Sequence, residues 1–495
     1  MRPLPFIITA VVLLAVSGTT AGDVQDAFLQ WPLPHGAEQY ADIDGRRMLE
    51  DVAAQVEISR RYRDEVHPKF WGRIIGTSSD AASADWLRAR YEAIGLSGID
   101  IQPFDLAPQW RPRTYEVTVT AGDRTVELTS AQPVYRSVGT APEGLELEAA
   151  YVGLGNEADF LGRDVAGKAV FSYSVFGLGN NGALARADEK GAAAIFDSHM
   201  LPGNMRYQAY PKGTGVPTFT LGGDDGIAVQ DLIAHAPGGQ AVRVKVQLDI
   251  DIVQDLKTGI VWGTLPGRTD ETIYIIAHRD GWFDAAGDNA SGVASMLGLA
   301  AHYAKIPQAE RRRTLVFLGI DGHHNSGEGM GIGRQWLLDN RADLFGKTAL
   351  MINVEHPSTV LTVARPRYAT RLTRGFDYGE DIYWVNTYTG QQWYAGGVRR
   401  PELREIAAKA FREFGVSTYL EPLAAAPAGD LSRLFRVVPG LATSDFNHYF
   451  HSDRETPETV PWTGLEATTR AYARIIDAVN ERELSVFQRP EEATP

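Results

Sequence analysis

"ETIYIIAHRDGWFDAAGDNASGVASMLGLAAHYA", residues 271–304, sets an apolar run, a knot of ionisable residues and a small-residue-rich apolar stretch end to end. The first run is short and unbroken, as a strand buried on both faces requires. The last stretch reads as a helix opened by "DNAS", where Asp288 can serve as its N-cap. The unit recurs downstream. "RTLVFLGID" (313–321) precedes "IGRQWLLDN" (332–340), and "TALMINVEH" (348–356) follows. Helical patterns return in "RPELREIAAKAFREFG" (400–415) and "TTRAYARIIDAVNERE" (468–483). Strands alternating with helices predict an α/β fold with a doubly wound, mostly parallel sheet.

In such sheets ligands bind where strands end at their carboxyl edges. Three predicted strand ends carry His or acid residues: His278 with Asp280, His323 with His324, and Glu355 with His356. Six of the eleven histidines fall at these ends or in "NHYFHSD" (447–453). Scattered core histidines do not cluster in this way. The chain has no cysteine. Imidazole and carboxylate without thiolate is the donor set of Zn²⁺ or another borderline divalent ion.

Working outward, residues 48–125 pass from helical patterns into alternating strands such as "YEVTVTAG" and "RTVELTS". Residues 131–252 have another texture, Gly-rich with short apolar strands ("KAVFSYS", "AAAIFDS", "VRVKVQLDI") around one helix, "NGALARADEKG". They read as a β-rich domain without metal ligands, inserted into an enzyme domain made of 48–130 and 253–485. The 495 residues suffice for two or three domains and a large core. The net charge of −14 argues against nucleic acid and anionic membranes as partners. "MRPLPFIITAVVLLAVSGTTAGD" has an early Arg, an apolar run too short to span a bilayer, then small residues. It is expected to be a secretory signal, residues 1–21, cut after Ala21, giving a secreted or periplasmic protein. No later segment has the length and apolarity of a membrane span, and monomer and homodimer both stay open. "GIGRQW" and "GLGNNG" are lone Gly-rich turns without a phosphate-loop Lys, and "TSSD" and "ASGV" lack a nucleophile-elbow context.

"HRDGWFDAAGDNASG" (278–292) resembles the signature of the co-catalytic di-zinc exopeptidases, the family of bacterial aminopeptidases, glutamate carboxypeptidase and the transferrin receptor. "GRIIGTSSDAASADWLRARYEAIGL" (72–96) resembles their N-terminal segment. Residues 131–252 resemble the protease-associated domain that several members carry, and "YFHSDRETPE" (449–458) resembles the segment of their last metal ligand. The resemblance implies that His278 binds a first zinc, Asp288 bridges two, Glu355 stands where the family has Asp on the first metal, and His451 holds the second with Glu455 behind it. Asp280, two residues from His278 on an extended strand, would orient that imidazole. His356 and His448 are read as ordinary polar packing.

The family's strand after "LVFLGID" continues with two acids, a proton-transferring base and a ligand of the second metal. Here His323 and His324 stand in their place, before a loop about three residues longer. Imidazole can replace a ligand, so His324 would bind metal. Losing that anion leaves Asp288 and Glu355 as the charged ligands, which weakens retention of a metal pair. His323 would act as base, though a nearby dication depresses its basicity. Glu328, in the longer loop, is either a substitute carboxylate or a solvated residue.

The implied function is a secreted exopeptidase or amidohydrolase cleaving peptide or N-acyl amino-acid bonds with metal-activated water, using one or two Zn ions. Two other readings stay open. One is a single ion on Asp288, His324 and His451, zinc or Fe(II), with different chemistry such as cyclisation. The other is an inactive binding homologue. Substrate recognition could lie in Arg365, Arg367, Arg371 and Arg374, or in Tyr383, Trp384, Trp393 and Tyr394.

Overall fold

A computed structural model describes residues 25–488, apart from 27, 175–180, 200–202, 325–330, 365–381, 389–390, 397–399, 421–426, 428 and 445–448. The segment 1–21, Glu328, His448 and the four arginines of 365–374 therefore lie outside the described residues.

Each strand end named above belongs to one eight-stranded sheet. Its spatial order is Thr418–Leu420, Gln391–Ala395, Gly440–Ser444, Thr348–Val354, Thr272–His278, Thr314–Ile320, Lys257–Leu265 and Ser97–Asp105. The four central strands, Gly440–Ser444 to Thr314–Ile320, run parallel. Lys257–Leu265 is antiparallel to both its neighbours, and Gln391–Ala395 is antiparallel to Gly440–Ser444. Gln391–Ala395 and Thr418–Leu420 are parallel to each other, so four of the seven pairings are parallel and the expected mostly parallel sheet carries antiparallel strands toward both edges. Hydrophobic runs identify buried strands, but direction is set by connections that periodicity does not report.

Alternation along the strands feeds two cores. Ile273, Ile275 and Ala277 join one, with Val293, Leu297 and Ala300 of helix Gly292–Ala304 and Leu465, Tyr472 and Ile476 of helix Trp462–Asn480. Tyr274 and Ile276 join the other, with Val316, Leu318, Leu337 and Leu431. Caps place the helices. Thr77 accepts from Asp80 N at the start of Ser78–Ile94, and Gly95 closes that helix at φ 89°, where a Cβ is disfavoured.

A second eight-stranded sheet has the order Arg124–Glu127, Gln109–Ala121, Arg243–Val253, Leu145–Tyr151, Ala169–Ser174, Ala194–His199, Thr218–Leu221 and Gln132–Pro133. Its own core includes Val117, Val119, Phe171, Phe196, Phe219 and Val246. It begins at Gln109, so the strands placed with the enzyme domain up to residue 130 belong here instead. The reason is long-range: Arg243–Val253 pairs antiparallel with Gln109–Ala121 from Arg243↔Thr120 to Val253↔Gln109. Among the described residues no helix is long and apolar enough to cross a membrane.

Candidate metal centre

The parallel strands bring their carboxyl ends to one edge. His278 ends Thr272–His278, His323 and His324 follow Thr314–Ile320, Glu355 and His356 follow Thr348–Val354, and His451 follows Gly440–Ser444. The strand order reverses about Thr272–His278, whose neighbours come from later chain on opposite sides. That reversal opens the crevice in which α/β sheets bind ligands.

Asp288, fully buried, is the hub. Its Oδ1 lies 3.0 Å from His278 Nε2 and 2.8 Å from His356 Nε2. Its Oδ2 lies 2.9 Å from His324 Nε2 and 2.9 Å from His451 Nε2, which are themselves 3.1 Å apart. One carboxylate therefore offers each oxygen to a pair of imidazole nitrogens. His356, expected as polar packing, is one of the four. It has φ 41°, so the backbone turns after Glu355 and the strand's alternation no longer decides where its ring lies.

The supporting groups fix which ring nitrogen faces the hub. His278 Nδ1 is 3.1 Å from the Asp280 carbonyl oxygen. The Asp280 carboxylate was expected to orient His278, but it lies closer to His324: Oδ2 accepts from His324 N at 2.9 Å and sits 3.2 Å from His324 Nδ1. Its Oδ1 accepts from His323 N at 3.2 Å and is 3.7 Å from His278 Nδ1. With Nδ1 so engaged, Nε2 of both rings is left toward Asp288, the arrangement of metal-binding histidines with outer carboxylates. Glu455 sits behind the hub, accepting from Asp288 N at 2.8 Å and His451 N at 3.1 Å.

The loop carrying the hub is clasped by Arg73 of the "GRII" segment, fully buried. Its guanidinium donates to the carbonyls of Arg279 (2.9 Å), Asp284 (2.9 Å) and Ala285 (3.0 Å) and to Ser59 Oγ (2.9 Å). Phe283, Ala285, His356 and His451 all have φ between 41° and 60°, a region non-glycine residues rarely adopt. Such residues persist where neighbours over-determine them, commonly at functional sites.

A second cluster lies across His278. The His323 ring stacks on His278 at 4.1 Å, with Nδ1 3.1 Å from Asp430 Oδ1 and 3.6 Å from Glu355 Oε1. Asp430 pairs with Arg334 at 2.9 Å and its N–H donates to Glu355 at 3.1 Å. Glu355, expected as a ligand of the first metal with His278, lies in one donor group with His278, His323 and Asp430. Asp430 and Arg334 were not singled out from the sequence. The one available signal was "GD" opening helix Leu431–Leu434.

Do these residues suit a metal? His278 Nε2 and Asp288 Oδ1 are buried and 3.0 Å apart, close enough to share an ion but outside hydrogen-bond geometry. Buried polar atoms without partners call for an explanation, and an ion shared by both is one. Electrostatics agree. Burial presses the imidazoles toward neutrality, but the Asp288 charge and hydrogen bonds to acids overcome it, lifting His324 to about 10 and His356 to about 9. Burial, outweighing the Asp288 contact, lowers His451 to about 3. Burial and then the nearby Asp288 charge raise Glu455 to about 8. A carboxylate so enclosed calls for positive charge, and a bound divalent ion would supply it. Among the described residues four groups of donors lie close enough to share an ion: His278–His323–Glu355–Asp430, His278–Asp280–His324, Asp288–His278–His356 and Asp288–His324–His451, and the last two meet at Asp288. The donors fit Zn²⁺.

Of the aromatic candidates, Tyr383 and Trp384 fall in strand Ile382–Tyr388 and Trp393 in Gln391–Ala395, while Tyr394 packs on Phe435 at 5.9 Å within a core.

Residues 261–337 match the model of peptidase family M28. No curated protein matches the sequence. The chain resembles the solved peptidase M28 precursor of Shewanella amazonensis SB2B at TM-score 0.66 and 16% identity, covering 96% of this chain and 100% of that one. It resembles a zinc aminopeptidase of Bacillus subtilis at TM-score 0.59 and 14% identity, covering 90% and 98%. It also resembles an aminopeptidase of Aneurinibacillus sp. strain AM-1 at TM-score 0.56 and 16% identity, covering 92% and 97%. The chain thus carries a peptidase family M28 match over residues 261–337 and shares the overall fold of solved M28 peptidases and aminopeptidases.

Proposed function

We propose that the chain is a metal-dependent exopeptidase or amidohydrolase that cleaves peptide or N-acyl amino-acid amides, with zinc as its metal. One observation carries the reading: a single buried carboxylate, Asp288, presents each oxygen to two imidazole Nε2 atoms at 2.8–3.0 Å. Bound there, divalent ions would acidify a water and polarise an amide carbonyl. Asp288, His278 and His356 would hold one ion, and Asp288, His324 and His451 the other. His323 is the proton-handling residue. Its side chain is 13% exposed, against 0–5% for the other four rings. Asp430 engages Nδ1 and leaves Nε2 to take a proton. Glu328, outside the described residues, is the alternative base. The second sheet is read as a protease-associated insertion, and residues 1–21 as a secretory leader. Mass spectrometry of exported protein beginning near Gly22 supports the leader, and retention of Met1–Thr20 rejects it.

A second reading, one ion on Asp288, His324 and His451, follows from the site's charge. Asp288 is the only carboxylate in the two sets, so two dications would share one anion. Iron would then compete with zinc.

The test is elemental analysis of protein purified without chelators, with a panel of aminoacyl amides and N-acyl amino acids. Hydrolysis lost on chelation and restored by zinc supports the proposal. One metal equivalent selects the second reading. Metal-free protein that binds no zinc and hydrolyses nothing rejects both.

A further inference from the structure

The second sheet supplies none of the candidate ligands, yet it reaches the metal centre along one strip. Gln208 N donates to His451 O at 2.9 Å, and Tyr207 pairs with Ser452 as an isolated antiparallel bridge. Arg206 N donates to Asp453 Oδ1 at 3.1 Å, and Asp453 N donates back to Arg206 O at 3.1 Å. The strip is anchored in its own sheet. The fully buried Gln208 side chain donates to Pro133 O at 3.0 Å and accepts from Gln132 at 2.8 Å, while Tyr135 N donates to Ala209 O at 3.0 Å.

This matters because of how His451 is held. Its φ of 59° is unfavourable for a residue with a Cβ, so the loop needs fixing from outside to keep it. Glu455 fixes its N–H from one side and the strip fixes its carbonyl from the other. The strip also walls the site. The Tyr210 ring stands edge-on to His451 at 5.0 Å and lies parallel to His324 at 6.3 Å. Both histidines face Asp288 Oδ2.

We propose that the Arg206–Tyr210 strip is a positioning element for the metal position formed by Asp288, His324 and His451. The inference rests on the metal reading of the site. Affinity there depends on docking of the second sheet, and by reciprocity metal binding there tightens the docking. The Asp288, His278 and His356 position has no such dependence.

The test is a Co²⁺ titration of the full chain, read by its d–d absorption and by elemental stoichiometry. The variants are Asp453→Ala with Tyr210→Ala, and separately Gln208→Pro, which removes the N–H donated to His451. His324→Ala identifies the Co²⁺ equivalent in question. Phe171→Ala is the control, since Phe171 lies in the second sheet's core and stacks on Phe196 at 4.6 Å away from the strip. We expect the strip variants to weaken that equivalent about tenfold or more and to speed amide exchange over 203–210. Phe171→Ala should lower the melting temperature and keep wild-type affinity. If Gln208→Pro does not fold, the double variant decides. Strip variants with wild-type Co²⁺ affinity, or a control that loses the same equivalent, overturn the positioning role. Wild-type protein that takes up no Co²⁺ overturns the metal reading itself.

Discussion

Two buried clusters flank His278 and solve the same electrostatic problem in different ways. Around Asp288 one carboxylate faces four imidazoles, and among the described residues no Arg or Lys pairs with it. Around His323 two carboxylates, Glu355 and Asp430, share one imidazole and the guanidinium of Arg334. Burial would push the Asp430 carboxyl upward, but Arg334 and His323 outweigh it and hold it well below the usual range. The second cluster carries its own cation. The first has no fixed cation paired directly with its carboxylate among the described residues, and Arg73 acts on it only at a distance. Neighbouring groups of similar composition thus differ in charge balance: one lacks a paired guanidinium, and the other has Arg334 on Asp430.

Asp288→Asn attacks that distinction most directly. It removes the shared anion, and metal content and hydrolysis should both fall to background. A variant that keeps its metal would place the ions elsewhere. His324→Ala comes next. It should remove one metal equivalent by elemental analysis and leave the metal-free fold intact, and unchanged metal content would exclude His324 as a ligand.

His323→Glu with His324→Glu sharpens the contrast from the other direction. It sets new carboxylates beside Asp280 and Asp288, so the metal-free protein should melt lower while zinc raises the melting temperature more than in wild type. Equal zinc-induced shifts would show that charge in this shell does not limit binding. Asp430→Asn addresses the second cluster. Turnover should drop about 10- to 100-fold with metal content unchanged, and metal loss instead would make the two clusters one. Gly429→Ala should have the smallest effect. Gly429 has φ 68° and a Cβ there would lie 1.8 Å from Glu355 Oε2, so we expect about 1–2 kcal/mol of destabilisation by denaturant titration, with metal retained.

His278, Asp288, His324 and His451 were legible because each lies at or soon after an apolar run or inside a spaced motif. His356 was missed because alternation, sound within Thr348–Val354, stops where φ turns positive. Glu355 was read from the family motif, and folding sets its carboxylate by His323 and the Asp430 N–H. Asp430 lies 75 residues beyond Glu355 in a stretch with no motif, and only folding brings the two together. The second sheet's first strands were legible as strands. Their allegiance was not, since it rests on pairing between Gln109–Ala121 and Arg243–Val253, far apart in the chain. Local patterns report what an element is, and distant pairing reports whose it is.

Arg73 gives the molecule an order of assembly. It receives the carbonyls of Arg279 and Ala285, 206 and 212 residues later in the chain. A growing chain therefore exposes this guanidinium long before its acceptors have been made, and contacts of such separation form late. The hub it clasps is completed later still, once His451 and Glu455 have emerged. On the two-ion reading, the Asp288, His278 and His356 position can form once residue 356 has been made, whereas the Asp288, His324 and His451 position must wait for His451.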